Sequence, residues 1–223
     1  EQLVAERVPF VLVNRHTDPI TANAVVPDNY GGASAAVEHL LGLGHRRIAH
    51  IAGSDDVSTS YLRRAAYLDT LRVHGIATDP RLLVFGSFRE QGGYDAMRAL
   101  LDLPEPPTAV FAVNDLAALG ALRAIASADL RAPEDISIVG FNDLFHIPYI
   151  TPQLTTIQVP DRAMGARAVE RLLDMIIAGV WPESPILLPL TLVTRASSGP
   201  PPTRKGPPPG RMGAAPQSPL RGR

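Results

Sequence analysis

The sequence predicts an α/β protein built on parallel, doubly wound sheets. Short apolar runs alternate with amphipathic segments of helical length along most of the chain. Two of these runs end in the same polar pair, Asn114-Asp115 and Asn142-Asp143. A strand, a helix and a further strand in succession are typical of parallel strands joined by crossover helices. The composition, with 45% hydrophobic and 19% charged residues, is that of an ordinary globular protein.

The apolar runs are the predicted strands. Each is short and is bounded by proline, glycine or polar turn residues, which favours a buried strand. They lie at residues 8–13, 24–26, 47–52, 82–85, 109–113, 136–141, 154–159 and 186–193. Pro189 lies inside the last run and predicts an edge position or a bend there, because proline has no backbone N–H to donate.

The predicted helices are marked by apolar residues that recur every three or four positions. They lie at residues 33–43, 60–74, 91–101, 116–125 and 161–178. Gly44, Gly75 and Gly179 follow three of them, as expected for a left-handed helix end. Asp115 is the predicted N-cap of the helix at 116–125.

The order of these elements predicts two lobes joined by several crossovers. The unit from residue 47 to residue 143 is self-contained, whereas residues 1–26 and the helix at 161–178 flank it on both sides. The first lobe has few strands, yet its helix carries an apolar face that needs a sheet to cover. We therefore expect part of that lobe to be missing from this chain, and we expect the chain alone to be poorly stable.

Charge and residue usage exclude several classes of protein. No acidic residue follows Glu183, whereas five basic ones follow Ser197, so the body of the chain is acidic and does not resemble a nucleic-acid-binding surface. The chain has no cysteine, which excludes disulfides and cysteine metal sites. No apolar run reaches the length of about 18 residues that a membrane span needs, and no signal-peptide pattern opens the chain. Residues 198–223 are rich in proline, glycine and arginine and are predicted to be disordered.

Three motifs carry a resemblance to a known family. LGHRRIA, TAVFAVND and PEDISIVGFND occur in this order and spacing. Together they resemble the effector-sensing domain of LacI/GalR-type bacterial transcription regulators, and the match extends over residues 8–198. The resemblance implies a periplasmic-binding-protein-like fold of type I, with a complete C-terminal lobe and part of an N-terminal lobe.

The resemblance also implies boundaries. Residues 1–27 would end the incomplete N-terminal lobe, 28–158 would form the C-terminal lobe, and 159–182 would be the last helix of the N-terminal lobe. Residues 183–197 would be the final strand of the C-terminal lobe, followed by the tail at 198–223.

The function that the resemblance implies is sensing rather than catalysis. A small molecule, such as a sugar, would bind in the cleft between the lobes and alter the binding of operator DNA by a helix-turn-helix domain that is absent from this chain. The protein would be a cytoplasmic homodimer, with no cofactor, no metal and no membrane partner. A periplasmic sugar-binding protein of a transporter is the alternative with the same fold. An α/β enzyme using Asp115 and Asp143 is a third, weaker hypothesis.

Six residues match ligand-contacting positions of the family. Arg63 would hold ligand hydroxyls or a carboxylate with its forked donors, and Phe88 would stack on the ligand. Asn142 departs from the aspartate that is commonest at its position, so the effector is not to be copied from a relative. The predicted ligand-binding residues are Arg63, Phe88, Asn114, Asn142, Asn14 and Thr59.

Each of these assignments has a structural alternative. Arg63 could be a surface arginine on a helix, Phe88 a core residue and Asn114 a turn former. Leu119, Leu122 and Tyr149 match the surface through which family members dimerise, and core or loop packing explains them equally well. The histidines show no metal-ligand spacing.

Overall fold

A computed structural model describes residues 2–17 and 20–203 of the chain. The strands are β1 (Leu12–Val13), β2 (Ala24–Pro27), β3 (Ile48–Ala52), β4 (Leu83–Phe85), β5 (Ala109–Ala112), β6 (Ser137–Asn142), β7 (Thr155–Gln158), β8 (Ile186–Leu188) and β9 (Thr191–Val193). The helices are α1 (Gln2–Ala5), α2 (Asn29–Gly42), α3 (Ser58–Val73), α4 (Glu90–Leu101), α5 (Asp115–Ala126) and α6 (Asp161–Leu173). A π-helical turn, Asp174–Ala178, extends α6, and short 3-10 turns lie at Ile20–Asn23, Pro80–Leu82 and Ile147–Tyr149.

The larger sheet has the strand order β4-β3-β5-β6-β7-β9. The strands from β4 to β7 pair in parallel, and β9 pairs antiparallel with β7. The chain winds outward from β3 to β4 and then in the other direction from β5 to β7. The strand order therefore reverses between β3 and β5, which is where open α/β sheets hold their ligands. We call this sheet with α2, α3, α4 and α5 the large lobe.

Helices cover both faces of the larger sheet. On one face, residues of α4 and α5 such as Met97, Leu100 and Ile125 pack with Val110 and Ile138 of the strands. On the other face, α2 and α3 pack on Phe111, Phe141 and Ile48, among others. Because both faces are buried, β5 is apolar at every position instead of alternating.

The smaller sheet has the order β1-β2-β8 and is parallel throughout. Met164 and Ala168 of α6 pack in the same apolar cluster as Val25 of β2. We call this sheet with α6 and its π-helical turn the small lobe. Several other apolar side chains of α6 and its π-helical turn are exposed, including Val169, Ile176 and Ile177. It remains a prediction that part of this lobe lies outside the chain.

The predicted fold class, α/β with parallel sheets, is confirmed. The prediction of a single last strand is wrong. Residues 186–193 form two strands rather than one. Pro189 fixes its backbone angle and lacks an N–H, so it ends one ladder and the chain crosses to the other sheet. Assigning all of 183–197 to the C-terminal lobe is therefore wrong for β8, which pairs with β2 in the small lobe.

The predicted start of the disordered tail at residue 198 is also wrong. The Ser198 hydroxyl lies 2.9 Å from His39 Nε2, and the Gly199 carbonyl lies 2.8 Å from His45 Nε2. Ser197 is buried, and its backbone carbonyl accepts a bond of 2.8 Å from the N–H of Ile138. Side chains of α2 and of the loop that follows it, together with the backbone of β6, thus hold this segment. The rest of the predicted tail, from residue 204, lies outside the described residues.

Among the helices that the structure describes, none combines the length and the apolar character needed to cross a bilayer.

Candidate effector cleft

Polar residues collect where strands of both lobes end. Asn14, Arg15 and His16 follow β1 of the small lobe, and Asn114 and Asn142 stand at the ends of β5 and β6 of the large lobe. The carboxyl ends of parallel strands lie on one edge of a sheet, so these residues line the edges that the two lobes turn toward each other.

Two contacts bring the lobes together at this edge. The Arg15 guanidinium carbon lies 5.0 Å from the centre of the Phe88 ring. The backbone N–H of His16 donates a bond of 3.2 Å to the hydroxyl of Ser58, at the start of α3. The space between these contacts is the candidate effector cleft.

Arg63 lies on the large-lobe side of the cleft and is only 2% exposed. Its Nε and Nη2 donate to Asn29 Oδ1 at 3.0 and 2.8 Å, and its Nη1 donates to the Val113 carbonyl at 2.5 Å. The guanidinium also lies 3.5 Å from the centre of the Phe141 ring. It therefore joins the crossover between the lobes, which ends at Asn29, to the ends of β5 and β6. The alternative of a surface arginine is wrong.

Burial and neighbouring charges both act on the Arg63 guanidinium. Burial lowers its pKa to about 9, the carboxylate of Asp115 partly offsets this, and the nearby charge of Arg15 lowers it further. The guanidinium remains charged at neutral pH. No ion pair between Arg63 and a carboxylate occurs among residues 2–17 and 20–203.

Asn114, rather than the predicted Asp115, caps α5. The Asn114 side-chain oxygen accepts from the N–H of Ala117 at 2.9 Å, and its amide donates to the Phe88 carbonyl at 2.9 Å. The prediction failed because Asn114 still has extended backbone, as an N-cap needs, whereas Asp115 is the first helical residue. The second N–H of the Asn114 amide forms no hydrogen bond with another described residue.

Asp115 instead ties the strands together. Its Oδ1 accepts from the Thr156 hydroxyl at 2.5 Å, and its Oδ2 accepts from the N–H of Leu144 at 2.8 Å. Burial raises the pKa of this carboxyl, while these hydrogen bonds oppose the rise. A Cβ at Gly140 would collide with the carboxylate, so glycine is required there. Asp143, the other carboxylate considered for catalysis, forms an ion pair of 2.7 Å with Arg195.

The end of β6 has an unusual backbone. Asn142 has φ +122° and Asp143 has φ +60°, in the region that favours glycine. Strain of this kind tends to collect at ligand-binding sites. The side chain of Asn142 is half-buried, and no hydrogen bond joins it to another described residue.

Phe88 stands between the loop after β3 and the small lobe. A Cβ on Gly53 would lie 2.7 Å from Phe88 Cζ, so the ring packs directly on that glycine. The ring also packs against the core beneath α4 and α5. Phe88 therefore packs on the core and also lies at the candidate cleft.

The structure gives fewer contacts for the two remaining predicted ligand-binding residues, Asn14 and Thr59. Asn14 is exposed at the end of β1, with φ +70°, and its N–H donates to the Val25 carbonyl at 3.0 Å. Thr59 is buried in the first turn of α3, next to the Ser58 hydroxyl that binds His16. Arg63, Phe88, Asn114 and Asn142 gather around the ends of β5 and β6, whereas Asn14 lies at the end of β1 in the small lobe.

The sequence prediction missed some residues of the cleft. Arg15 and His16 follow Asn14 directly, and the end of a strand was a sufficient signal for all three. Asn29 gave no signal, because its role depends on Arg63 reaching it from α3. His16 Nδ1 and the hydroxyl of Ser60 are buried without a hydrogen-bond partner among the described residues.

The predicted dimer surface divides into two kinds of residue. Tyr149 is 84% exposed, and Phe145 beside it is 87% exposed. Leu119 and Leu122 are half-buried and pack against the core of the large lobe. The sequence alternative of core packing therefore describes the two leucines in part, whereas Tyr149 projects from the surface.

Comparison with known proteins identifies the family. A family model for the periplasmic binding protein-like domain matches residues 37–198. A sugar-binding transcriptional regulator of the LacI family from Escherichia coli, solved in complex with phosphate, superimposes with a TM-score of 0.82 at 30% identity, covering 90% of this chain and 72% of that one. The chain belongs to the LacI family of transcription regulators, as an effector-binding domain.

Repressors are among the curated relatives. The chain is 37% identical over 171 residues to the probable HTH-type transcriptional repressor ExuR of Bacillus subtilis, covering 77% of this chain and 51% of that protein. It is 39% identical over 168 residues to the HTH-type transcriptional repressor CytR of Escherichia coli K12, covering 75% and 49%. The chain thus spans about half the length of these relatives.

Proposed function

We propose that this chain is the effector-sensing domain of a DNA-binding transcriptional repressor. A small molecule of the sugar class binds between the lobes and changes the affinity of the whole protein for operator DNA. The observation that carries the proposal is the cleft, where strand ends of both lobes present polar side chains to one space. Membership of a family with repressor relatives supports this function over that of a transporter binding protein.

The geometry provides a route from ligand to lobe arrangement. Arg63 holds both the crossover residue Asn29 and the end of β5. A ligand that binds Arg63 competes with these contacts, while Arg15 and His16 connect the small lobe to the same site. Binding therefore favours one relation of the lobes over another. Coupling of this kind is worth about 1–3 kcal/mol in typical allosteric proteins.

The predicted ligand contacts remain part of the proposal. Arg63 and Phe88 would position the ligand, and Asn142 would read its hydroxyl pattern. Asn114 would contribute its remaining N–H, and Asn14 and Thr59 would complete the cleft from either side. Asn142 presents donors as well as an acceptor, in contrast to an aspartate.

The proposal extends to assembly and place in the cell. The exposed aromatic surface at Phe145 and Tyr149 would join two copies of the large lobe, with Leu119 and Leu122 at its edge. Dimerisation would present two DNA-binding domains to a two-fold operator. A protein that binds operator DNA acts in the cytoplasm. We propose no enzymatic activity, because Asp115 and Asp143 are both engaged in structural bonds.

The test is an operator-binding titration with the full-length protein. Fluorescence anisotropy of a labelled operator fragment is measured with and without a panel of sugars and nucleosides. We expect one class of compound to change operator affinity at least about fivefold. Asn142→Asp should alter which compound acts while operator affinity without ligand stays the same. Gln91→Glu makes the same amide-to-carboxylate change at an exposed position of α4 and is the matched control. The proposal fails if the compounds bind in the cleft without any effect on operator affinity.

A further inference from the structure

The turn that follows β6 has a backbone conformation that needs support from its surroundings. Asn142 and Asp143 have φ angles of +122° and +60°, which residues other than glycine rarely adopt. Such a conformation persists only where contacts hold it from several sides. The contacts that hold Asp143 therefore also set the orientation of Asn142, the residue before it.

Two side chains from later parts of the chain hold the Asp143 carboxylate. Arg195 Nη2 lies 2.7 Å from Asp143 Oδ1, and Gln158 Nε2 donates to Asp143 Oδ2 at 3.0 Å. The side chains of Arg195 and Asp143 are 14% and 8% exposed, so solvent and salt screen this pair less than a surface ion pair. Among residues 2–17 and 20–203, Arg195 is the only ion-pair partner of Asp143.

Arg195 is itself fixed by the sheet. Its backbone N–H donates to Thr155 Oγ1 at 2.9 Å, and its Nη1 donates to the Leu154 carbonyl at 2.8 Å. Thr155 begins β7, and Arg195 follows β9, the strand that pairs with β7. The guanidinium therefore reaches Asp143 from a support that the larger sheet holds in place.

A second carboxylate, that of Asp115, lies beside the same turn. Asp115 Oδ2 accepts from the backbone N–H of Leu144 at 2.8 Å, and the nitrogen of Leu144 is bonded directly to the carbonyl carbon of Asp143. Burial raises the pKa of the Asp115 carboxyl, and the charge of Asp143 raises it further. The two carboxylates therefore repel each other, and the Arg195 guanidinium offsets the charge of Asp143. Without Arg195, this repulsion would separate Asp143 from Asp115 and open the turn.

We propose that Arg195 is a positioning residue of the cleft: through Asp143 it holds residues 142–144 in the turn that presents Asn142 to the effector. This inference rests on the proposed function, in which Asn142 reads the hydroxyl pattern of the ligand. Arg195 acts without touching the ligand. Its charge lets the carboxylates of Asp115 and Asp143 stay beside one turn, and that turn fixes where the Asn142 amide stands.

The first test measures the turn without a ligand. Amide hydrogen exchange of the full-length protein is followed at single residues by mass spectrometry. Arg195→Met should speed exchange at the N–H of Leu144 at least about tenfold, while exchange in β5 changes less than about twofold. Arg195→Lys keeps the charge and should stay within about threefold of the wild type. Arg72→Met removes an exposed arginine paired with Asp69 at 3.0 Å and is the matched control, with no expected change at Leu144.

A second substitution separates positioning from packing. Asp143→Asn removes one of the two repelling charges, and asparagine tolerates a positive φ better than most residues. Combining Arg195→Met with Asp143→Asn should therefore slow exchange at Leu144 to within about threefold of Asp143→Asn alone. If Arg195→Met does not fold, adding Asp143→Asn should restore folding.

Two results of these measurements overturn the inference. One is exchange at Leu144 that Arg195→Met leaves unchanged. The other is a double variant that exchanges as fast as Arg195→Met, or that does not fold either, because Arg195 would then act through contacts other than Asp143.

The operator titration adds the functional readout. The panel of sugars and nucleosides is applied to the wild type, to Arg195→Met and to the double variant with Asp143→Asn. A compound that acts on the wild type should be needed at a concentration at least about fivefold higher for Arg195→Met, and less than about threefold higher for the double variant.

The outcomes separate this inference from the proposed function. If Arg195→Met loosens the turn but responds to every compound as the wild type does, the proposed function stands and this inference fails. If compounds bind in the cleft more weakly in Arg195→Met, but none changes the operator affinity of any of the proteins, this inference stands and the proposed function fails.

Discussion

The two lobes differ in how completely they are closed. The large lobe buries its sheet between two layers of helices, with Phe111 and Phe141 fully enclosed. The small lobe has three strands and one main helix, and side chains such as Ile177 lie 78% exposed on it. The cleft lies where the closed lobe meets the open one. The cleft residues of the large lobe therefore stand on a closed core, whereas Arg15 and His16 extend from the less enclosed small lobe.

The largest effect is expected from opening the core of the large lobe. Phe111→Ala removes a fully buried ring that stacks on His50 with centres 4.8 Å apart. We expect a loss of about 3–5 kcal/mol in the free energy of unfolding. Urea denaturation followed by circular dichroism measures it. A loss below about 1 kcal/mol would mean that the large lobe is not the stable half of the chain.

Low pH should destabilise the same core. Burial lowers the pKa of His50 to about 4, although the Phe111 carbonyl beside its ring opposes the shift. The unfolded chain takes up this proton near pH 6.5 and the folded chain only near pH 4. Stability should therefore be unchanged above about pH 6.5 and should fall as pH drops from there to about 4, by on the order of 3 kcal/mol.

Two variants test whether His50 is the group responsible for this loss of stability at low pH. His50→Leu should flatten the fall in denaturation midpoint between pH 6.5 and pH 4. His74→Gln, which changes an exposed histidine paired with Glu38, should leave it intact. A slope that survives His50→Leu would place the titrating group elsewhere, in His39 or His45, whose pKa values burial also lowers.

Removing the N-cap of α5 at the cleft should have a smaller effect on stability. Asn114→Ala removes the hydrogen bond to the N–H of Ala117 that starts α5. We expect a cost of about 1 kcal/mol, typical of an N-cap. Asn114→Asp retains the acceptor but loses the N–H that donates to the Phe88 carbonyl, so it should recover only part of this cost in the same thermal melts. Equal melting temperatures for wild type and Asn114→Ala would show that the cap contributes nothing.

The smallest effect is expected on the open face of the small lobe. Ile177→Ser replaces an exposed side chain in this chain and should change the free energy of unfolding by less than about 0.5 kcal/mol. In the full-length protein the same change should cost more if the rest of the lobe covers this face. Denaturation of both proteins sharpens the comparison, and equal small effects would show that the face is exposed in both.

The sequence predicted what depends on local pattern. Apolar runs located β3 and β5, and the paired Asn-Asp motifs marked the carboxyl ends of β5 and β6. The split at Pro189 was foreseen only as a bend, because the identity of the neighbouring strand depends on the tertiary fold. The cap was assigned one residue too late, since Asn114 and Asp115 are both good capping residues and only backbone geometry separates them.

Sequence patterns did not predict the long-range polar contacts. Asn29 meets Arg63 across 34 residues, and His45 meets the Gly199 carbonyl across 154. No spacing rule connects such positions. The resemblance supplied Arg63 as a ligand residue, but its buried, unpaired charge became visible only when its partners were known.

Hydrogen exchange of the full-length protein with and without a bound sugar tests the central claim most directly. The claim is that one cleft, formed by strand ends of both lobes, receives the effector. We predict slower amide exchange on binding at residues 14–16 of the small lobe together with the start of α3 and residues 142–144 of the large lobe. Protection confined to one lobe, or located on the aromatic surface at Phe145 and Tyr149 alone, would contradict it.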